Sequence, residues 1–400
     1  MTRDQLFVEP GAIGNLTRGD LGESPLTQQL DGRIDDSLGH QFARHPRQRT
    51  EGSGDSTSKP IYSDATTHHR GEHSMSSERD GSTTTTEEIL EGIDLSGRRI
   101  VITGAATGLG LESARALTAH GARVVMLARS TERVNEGLAK LRALVPNADV
   151  ETGVVDLADL GSIRRFADKF LSSHDAIDVL MNNAGVMACP FGHTADGFET
   201  QFGTNHLGHF ALTALLMPAV LRGNAPRVIT LSSAGHSRAD VDLDDPNFET
   251  TPYSAWVSYG RSKTANALFA RELATRYSGK GVLSFSVHPG GIITELGRHL
   301  NDELMADMAR FAKERAERAG VTASPGFKLK SIEAGTATQV WAVVAPELAN
   351  HNGAYLADCG VGVLNGDPGR NGFLPYLLDD TKAAGLWELS ERLTGVRFTA

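Results

Sequence analysis

The stretch that decides the fold is Ile100-Val101-Ile102-Thr103-Gly104-Ala105-Ala106-Thr107-Gly108-Leu109-Gly110. Its first four residues form an apolar run that is typical of a strand buried on both faces of a parallel sheet. Three glycines follow at the spacing G-x-x-x-G-x-G, and helical periodicity begins at Leu109. A glycine turn between a strand and a helix suits a dinucleotide pyrophosphate, because backbone amides at the helix N-terminus face the phosphates. A plain glycine turn is the alternative.

The residues of this turn have separate expected roles at a dinucleotide cofactor. Gly104 permits the tight turn, Gly108 lets the backbone approach the pyrophosphate, and Gly110 lets helix and strand pack closely. Thr107 and Leu109 lie between these glycines, and we expect them to contact the cofactor as well.

Apolar runs that resemble the first strand recur along the chain. Strands are predicted at 123–127, 150–155, 177–181, 227–231 and 282–287, a last one at 353–356, and helices at 109–120, 131–144, 159–173, 195–222 and 254–278. Alternation of strands and helices predicts an α/β fold, a doubly wound parallel Rossmann-type sheet flanked by helices. We expect one catalytic domain over residues 96–400, with a less regular tail from 365.

Residues 1–95 have a different composition from the rest of the chain. They are rich in Ser, Thr, Asp, Gly, Arg and His and lack apolar periodicity, so a disordered polar tail is expected. His68, His69 and His73 suggest either metal binding or merely a solvated segment. Translation from Met75 is a further hypothesis about this region.

Composition excludes several classes of protein. The chain has 400 residues, 40% of them hydrophobic, and its net charge of -10 argues against a nucleic-acid-binding protein. Cys189 and Cys359 are too few for a disulfide framework, so a cytoplasmic location is expected. The sequence contains no candidate membrane span and no recognisable signal peptide.

Polar motifs follow the predicted strands, at the edge where ligands bind in such sheets. Arg129 follows the second strand where an acid would repel a 2′-phosphate, and its guanidinium can pair with that phosphate. NADP(H) is therefore favoured, with NAD(H) possible. The other candidate cofactor contacts after strand ends are Asp156, Leu157, Asn183, Ala184, Gly185, Pro289, Gly290 and Thr294.

Tyr259 and Lys263 lie four residues apart on a predicted helix, so their side chains share a face. A tyrosine has an ordinary pKa of about 10, and a fixed cation favours the phenolate and lowers that pKa. Such a phenol could exchange a proton with a carbonyl or an alcohol. Taken alone, the pair is also common on solvated helices.

Together these motifs resemble the short-chain dehydrogenase/reductase family. The resemblance covers about residues 97–360 and rests on TGAATGLG at 103–110, NNAG at 182–185, Asn205, Ser233, YGRSK at 259–263 and HPG at 288–290. The stretch from NNAGVMACPF to NHLGHF is similar to the retinol dehydrogenase and WW-domain oxidoreductase branch, which includes light-dependent protochlorophyllide reductases.

The resemblance implies a role for each matching residue. Tyr259 would be the general acid in reduction and the base in oxidation, and Lys263 would hold the nicotinamide ribose and lower the Tyr259 pKa. Ser233, rather than Ser232, would hydrogen-bond the substrate oxygen, and Asn205 would hold a water that joins Lys263 to solvent. Pro289, Gly290 and Thr294 would position the nicotinamide.

The implied function is hydride transfer between NADP(H) and an aldehyde, ketone or alcohol on an apolar small molecule. A non-catalytic NADP(H)-binding sensor or interaction protein on the same fold is the alternative, and light-dependent protochlorophyllide reduction is a third. A longer insertion before Tyr259 leaves the oligomeric state open, including a homo-oligomer.

Some segments outside these motifs contain further candidate functional residues. Residues 295–319 predict an amphipathic helix within a substrate lid at about 291–330. Cys189 and His193 are candidates for the substrate pocket. No metal site is expected, although His206 with His209, and an acidic loop, leave that alternative open; the loop residues are Asp242, Asp244, Asp245 and Asn247.

Overall fold

The computed structural model describes residues 80–318 and 329–399. The strands in these residues are β1 (Arg99–Thr103), β2 (Arg123–Ala128), β3 (Val150–Val154), β4 (Val179–Asn182), β5 (Arg227–Leu231), β6 (Leu283–His288), β7 (Tyr355–Ala357), β8 (Gly360–Val361), β9 (Val363–Leu364) and β10 (Gly372–Phe373). The helices are α1 (Thr86–Leu90), α2 (Gly108–Ala119), α3 (Thr131–Leu144), α4 (Leu160–Ser173), α5 (Thr200–Phe202), α6 (Gly208–Val220), α7 (Ala255–Tyr277), α8 (Asp302–Arg318), α9 (Ile332–Val344) and α10 (Asp380–Thr394).

The main sheet has the order β3-β2-β1-β4-β5-β6-β7-β8 in the described residues. Its strands pair in parallel from β3 to β7, and β8 joins as an antiparallel edge. The chain runs outward from β1 to β3 and then returns to place β4 beside β1. This reversal confirms the predicted doubly wound α/β sheet, and it opens a crevice at the carboxyl ends of β1 and β4.

Two apolar layers cover the two faces of the sheet. Side chains alternate along a strand, so Ile100 and Ile102 pack with α2 and α9 while Val101 packs with α4, α6 and α7. Phe210 and Phe269 fill the second layer, where their ring centroids lie 5.6 Å apart. Both layers leave the carboxyl edge of the sheet free for the site.

The predicted disordered tail does not extend to residue 95, because a packed helix lies before residue 96. Thr85 and Glu88 form a reciprocal capping box at the start of α1. Ile89 and Leu90 are buried in the core against α2 and α9. The boundary at residue 95 was therefore wrong. The rest of the expected tail, with His68, His69, His73 and Met75, lies outside the described residues.

Two helices of the C-terminal part were not predicted. α9 is buried almost throughout its length, and α10 lies in the tail that was expected to be irregular. The Asp379 side chain caps α10 by accepting from Lys382 N, and Trp387 packs that helix onto Phe269 and Phe398. None of the helices described for this chain combines the length and apolar character needed to cross a bilayer.

Candidate active site

The glycine turn has the geometry that its sequence predicts. Gly104 and Gly108 adopt φ angles of +66° and +55°, which favour glycine. A methyl group on Gly110 would lie 2.3 Å from the Gly104 carbonyl oxygen, so only glycine fits this helix-to-strand contact. The turn therefore leads directly from β1 into the N-terminus of α2, with its backbone facing the crevice.

Hydrogen bonds among polar groups of β1, the NNAG motif and α6 fix the position of the glycine turn. The hydroxyl of Thr103 accepts from the backbone amides of Asn183 and Ala184 at 2.9 and 3.0 Å. The Asn183 side-chain amide donates to the Thr103 carbonyl at 2.8 Å, and His209 hydrogen-bonds Thr103 Oγ1 at 2.9 Å. The NNAG motif thus joins the ends of β1 and β4 across the crevice.

A cleft of about 880 Å³ runs along the carboxyl edge of the sheet from the glycine turn to α8. Every residue predicted to contact the cofactor lines it. These residues are Gly104, Thr107, Gly108, Leu109, Gly110, Arg129, Asp156, Leu157, Asn183, Ala184, Gly185, Tyr259, Lys263, Pro289, Gly290 and Thr294. Ser233 lines the same cleft, so the structure brings the predicted catalytic and cofactor motifs together.

Tyr259 and Ser233 meet at the inner wall of the cleft. Both residues line the cleft, while the Ser232 hydroxyl turns away and donates to the Lys263 carbonyl at 2.8 Å. The second serine is therefore the one beside the phenol. Burial raises the pKa of Tyr259 to about 12, and the Ser233 hydroxyl opposes this only in part. The expected lowering of the Tyr259 pKa was wrong for this structure.

Lys263 lies under the tyrosine ring, one helical turn along α7. Its ammonium is 5.6 Å from the ring centroid and donates to the Leu231 carbonyl oxygen at 3.0 Å. Burial lowers the pKa of Lys263 to about 8. Desolvation of both groups outweighs their mutual influence, which explains why the phenol is not the easily ionised group that spacing alone suggested.

Asn205 lies behind these two residues in a π-helical turn, Gly203–Leu207, between α5 and α6. Its side chain accepts from Val186 N at 2.8 Å and donates to Val186 O and to Ser262 Oγ. The amide is fully buried and fixes the backbone that follows the NNAG motif. π turns often occur at functional positions, but the apolar periodicity of the segment predicted an unbroken helix.

The far end of the cleft carries two arginines after β2. Arg129 is exposed and lines the cleft. Arg133 lies one turn into α3, and its guanidinium pairs with Glu295 at 2.8 Å. The Ser130 hydroxyl is used to cap α3, accepting from Arg133 N. The segment after β2 therefore places positively charged side chains at the cleft, including Arg129, which the sequence predicts there.

The predicted lid covers the tyrosine. Its helical part begins at Asp302, later than expected, after a 3-10 turn at Glu295–Gly297. Leu300, Leu304 and Met308 pack against the cluster that contains Trp256 and Tyr259. The lid range also includes residues 319–328, which lie outside those described.

Several other candidates lie away from the cleft. Cys189 is buried behind Met187, and His193 forms a β-bridge with Glu199; neither side chain lines the cleft. His206 is buried against Ser390. The acidic loop is a hydrogen-bonded turn, in which Asp245 accepts from Thr250 and Thr251 and Asp242 pairs with Arg261.

Comparison with known proteins identifies relatives over most of the described chain. Residues 98–305 match the family described as short chain dehydrogenase. Retinol dehydrogenase 12 of Mus musculus is 40% identical over 67% of this chain and 79% of its own length. Retinol dehydrogenase 13 of Homo sapiens is 38% identical over 75% and 85%. The short-chain dehydrogenase/reductase prx1 of Penicillium roqueforti is 36% identical over 73% and 84%.

Solved structures show the same similarity. An uncharacterized protein from Mycobacterium Paratuberculosis is 34% identical, with a TM-score of 0.58, over 77% of this chain and 97% of its own. The glycine turn, the Tyr259–Lys263 pair and these similarities lead to one assignment. The chain belongs to the short-chain dehydrogenase/reductase family, in its retinol dehydrogenase-like branch, and is an oxidoreductase that acts on CH–OH or C=O groups.

Proposed function

We propose that this protein is an NADP(H)-dependent oxidoreductase that interconverts an alcohol and an aldehyde or ketone on an apolar small molecule. One observation carries the proposal: a single cleft joins the glycine turn to the Ser233–Tyr259 pair and continues under α8. A dinucleotide and a carbonyl compound can therefore meet at the phenol.

The cleft residues fit a nicotinamide dinucleotide. Gly108 leaves a gap in which an added methyl group would lie 3.4 Å from Thr294, so the turn and the 289–294 segment form a narrow cradle. Arg129 offers a charge-assisted partner for a 2′-phosphate. A structural relative from Beutenbergia cavernae, 25% identical with a TM-score of 0.50, is described as an NAD(P)-dependent gluconate 5-dehydrogenase with bound NADP at low occupancy.

The residues at the inner wall supply proton transfer and orientation. When bound, NADP(H) supplies the hydride in reduction and accepts it in oxidation. Tyr259 gives a proton to the substrate oxygen as the carbonyl carbon gains the hydride, and Ser233 donates a hydrogen bond to the same oxygen. With a pKa of about 12, Tyr259 is protonated at neutral pH and ready to act as the acid.

The substrate end of the cleft is predominantly apolar. Its walls come from the loop after β4, the start of α7 and the lid, and they include Met187, Trp256, Leu300, Met305, Met308 and Phe311. Apolar walls favour an apolar substrate, because little solvation is lost on binding. Retinol, which the names of the relatives specify, is an alcohol of this class.

Replacement of Tyr259 by Phe tests the proposal. NADPH-dependent reduction of a panel of apolar aldehydes and ketones should fall by about a thousandfold, since general acid catalysis contributes roughly 10²–10⁴. Affinity for NADPH, measured by fluorescence titration, should stay within about threefold of the unaltered protein. Tyr277→Phe is a matched control, because Tyr277 lies at the other end of α7 and donates to Thr399 O. Full activity in Tyr259→Phe would refute the acid role.

A further inference from the structure

The turn between β7 and β8 is strained where its sequence offers no glycine. Asp358 and Cys359 connect the paired residues Ala357 and Gly360, and their φ angles are +50° and +51°. Two-residue hairpin turns with positive φ at both positions strongly prefer Asn-Gly or Asp-Gly. Asp358 therefore suits the first position, whereas Cys359 at the second costs about 1 kcal/mol or more, and such strained residues cluster at functional sites. The strain therefore indicates a function for the side chains of this turn.

The Asp358 carboxylate forms an ion pair with a nearly buried lysine. Lys330 Nζ lies 2.5 Å from Asp358 Oδ1, and the Lys330 side chain is only 7% exposed. A buried ammonium requires a partner, so the strained turn places the carboxylate where Lys330 needs it. Cys359 is held separately, since its backbone amide donates to Thr338 Oγ1 at 3.1 Å.

Lys330 in turn packs on the segment that lines the cofactor cleft. Gly290 has a φ of +100°, and a methyl group there would lie 2.8 Å from Lys330 Cε and 2.9 Å from Cδ. The Lys330 backbone amide also donates to the Gly291 carbonyl at 2.9 Å. Both main chain and side chain of Lys330 therefore press on residues 290–291, which lead to Thr294 opposite Gly108.

We propose that Lys330 and Asp358 are a positioning pair that holds the 289–294 segment against the glycine turn and thereby sets the affinity for NADP(H). Neither residue has to touch the reacting atoms. The inference rests on the proposed function, because it assumes that the cradle between Gly108 and Thr294 receives the cofactor.

Asp358→Gly distinguishes a role of the carboxylate in cofactor binding from a role of the turn in stabilising the fold. Glycine adopts positive φ without strain, so the hairpin keeps its backbone and loses only the carboxylate. The Kd for NADPH, measured by fluorescence titration, should rise about tenfold, which is within the range for residues that act on a site without contacting the ligand. The melting temperature without cofactor should fall, because the nearly buried Lys330 ammonium loses its partner and the relief of backbone strain offsets this loss only in part. Lys330→Met, which keeps the methylene packing on Gly290, should raise the Kd similarly, and the double variant should add little.

Asp380→Asn is the matched control. Asp380 of α10 forms an ion pair with Arg271 of α7 at 2.6 Å, and neither residue lines the cleft. Its NADPH affinity should equal that of the unaltered protein. An unchanged Kd in Asp358→Gly, beside normal NADPH binding by the unaltered protein, would overturn the positioning role alone. Absence of NADPH binding by the unaltered protein would overturn the proposed function, and this inference with it.

Discussion

Lys263 and Asn266 donate hydrogen bonds to the same acceptor, the Leu231 carbonyl oxygen, at 3.0 and 2.9 Å. The lysine is buried beside Tyr259 and has no carboxylate partner among the described residues. Its charge is therefore held at a cost in stability, because burial lowers its pKa from 10.5 to about 8. Removal of the ammonium leaves Leu231 satisfied by Asn266.

Lys263→Met should consequently abolish activity and stabilise the fold. The unfavourable burial corresponds to about 3 kcal/mol at neutral pH, and loss of one hydrogen bond offsets about 1 kcal/mol. The free energy of unfolding in urea should therefore rise by about 2 kcal/mol at pH 7. The pKa of Lys263 is lower in the folded protein than in the unfolded chain, so the buried ammonium destabilises the fold by its full amount below about pH 8. This destabilisation declines as the pH rises toward 10.5. A less stable variant, or a gain that grows between pH 8 and 10, would contradict this account.

Arg238 should control entry to the substrate end of the cleft. Its guanidinium pairs with Asp307 of α8 at 2.8 Å and lies over the rings of Trp256 and Phe311, at 5.3 and 3.9 Å from the centroids. Arg238→Ala releases the lid from the catalytic wall, so KM for the carbonyl substrate should rise about tenfold. Arg310→Ala removes the exposed second partner of Asp307 and should leave KM unchanged. Equal effects of the two substitutions in steady-state kinetics would exclude a specific role for Arg238.

Arg129 should set the preference for the phosphorylated cofactor. A charge-assisted hydrogen bond contributes about 1.5–3 kcal/mol, so Arg129→Ala should lower kcat/KM with NADPH about tenfold to a hundredfold and leave kcat/KM with NADH nearly unchanged. Arg123→Ala is a suitable control, because Arg123 starts the same strand and pairs with Asp149 at the opposite edge. An equal fall in kcat/KM with NADPH and with NADH would indicate a structural role for Arg129.

The sequence predicts the sheet and most of the site well, because both depend on local signals. Each buried strand is a short apolar run, and each polar motif follows a strand end. α9 was not predicted because residues 334–343 are all buried and no polar face gives the helical period. α10 carries readable signals, the capping Asp379 and Gly395 with a φ of +58°, although its apolar positions are few.

The electrostatics of the site could not be predicted in this way. Spacing places Lys263 beside Tyr259, but whether the phenol gains or loses acidity depends on how much water the fold removes from both groups. The π turn at Asn205 is likewise set by packing, since Gly203 and Leu207 follow the apolar pattern of an ordinary helix. These features depend on tertiary contacts between segments that are distant in sequence.

Gly110 offers the sharpest test of the turn itself. A methyl group at this position would lie 2.3 Å from the Gly104 carbonyl and 2.5 Å from Asn183 Nδ2, and both neighbours are fixed by the contacts that join β1 to β4. Gly110→Ala should therefore lower the free energy of unfolding by about 1–3 kcal/mol and weaken NADPH binding, because the displaced backbone is the one that faces the cleft. Gly279→Ala, where no atom lies within 4 Å, should change stability by less than about 1 kcal/mol. Similar unfolding curves for the two variants would show that the turn can yield without cost, contrary to its packing.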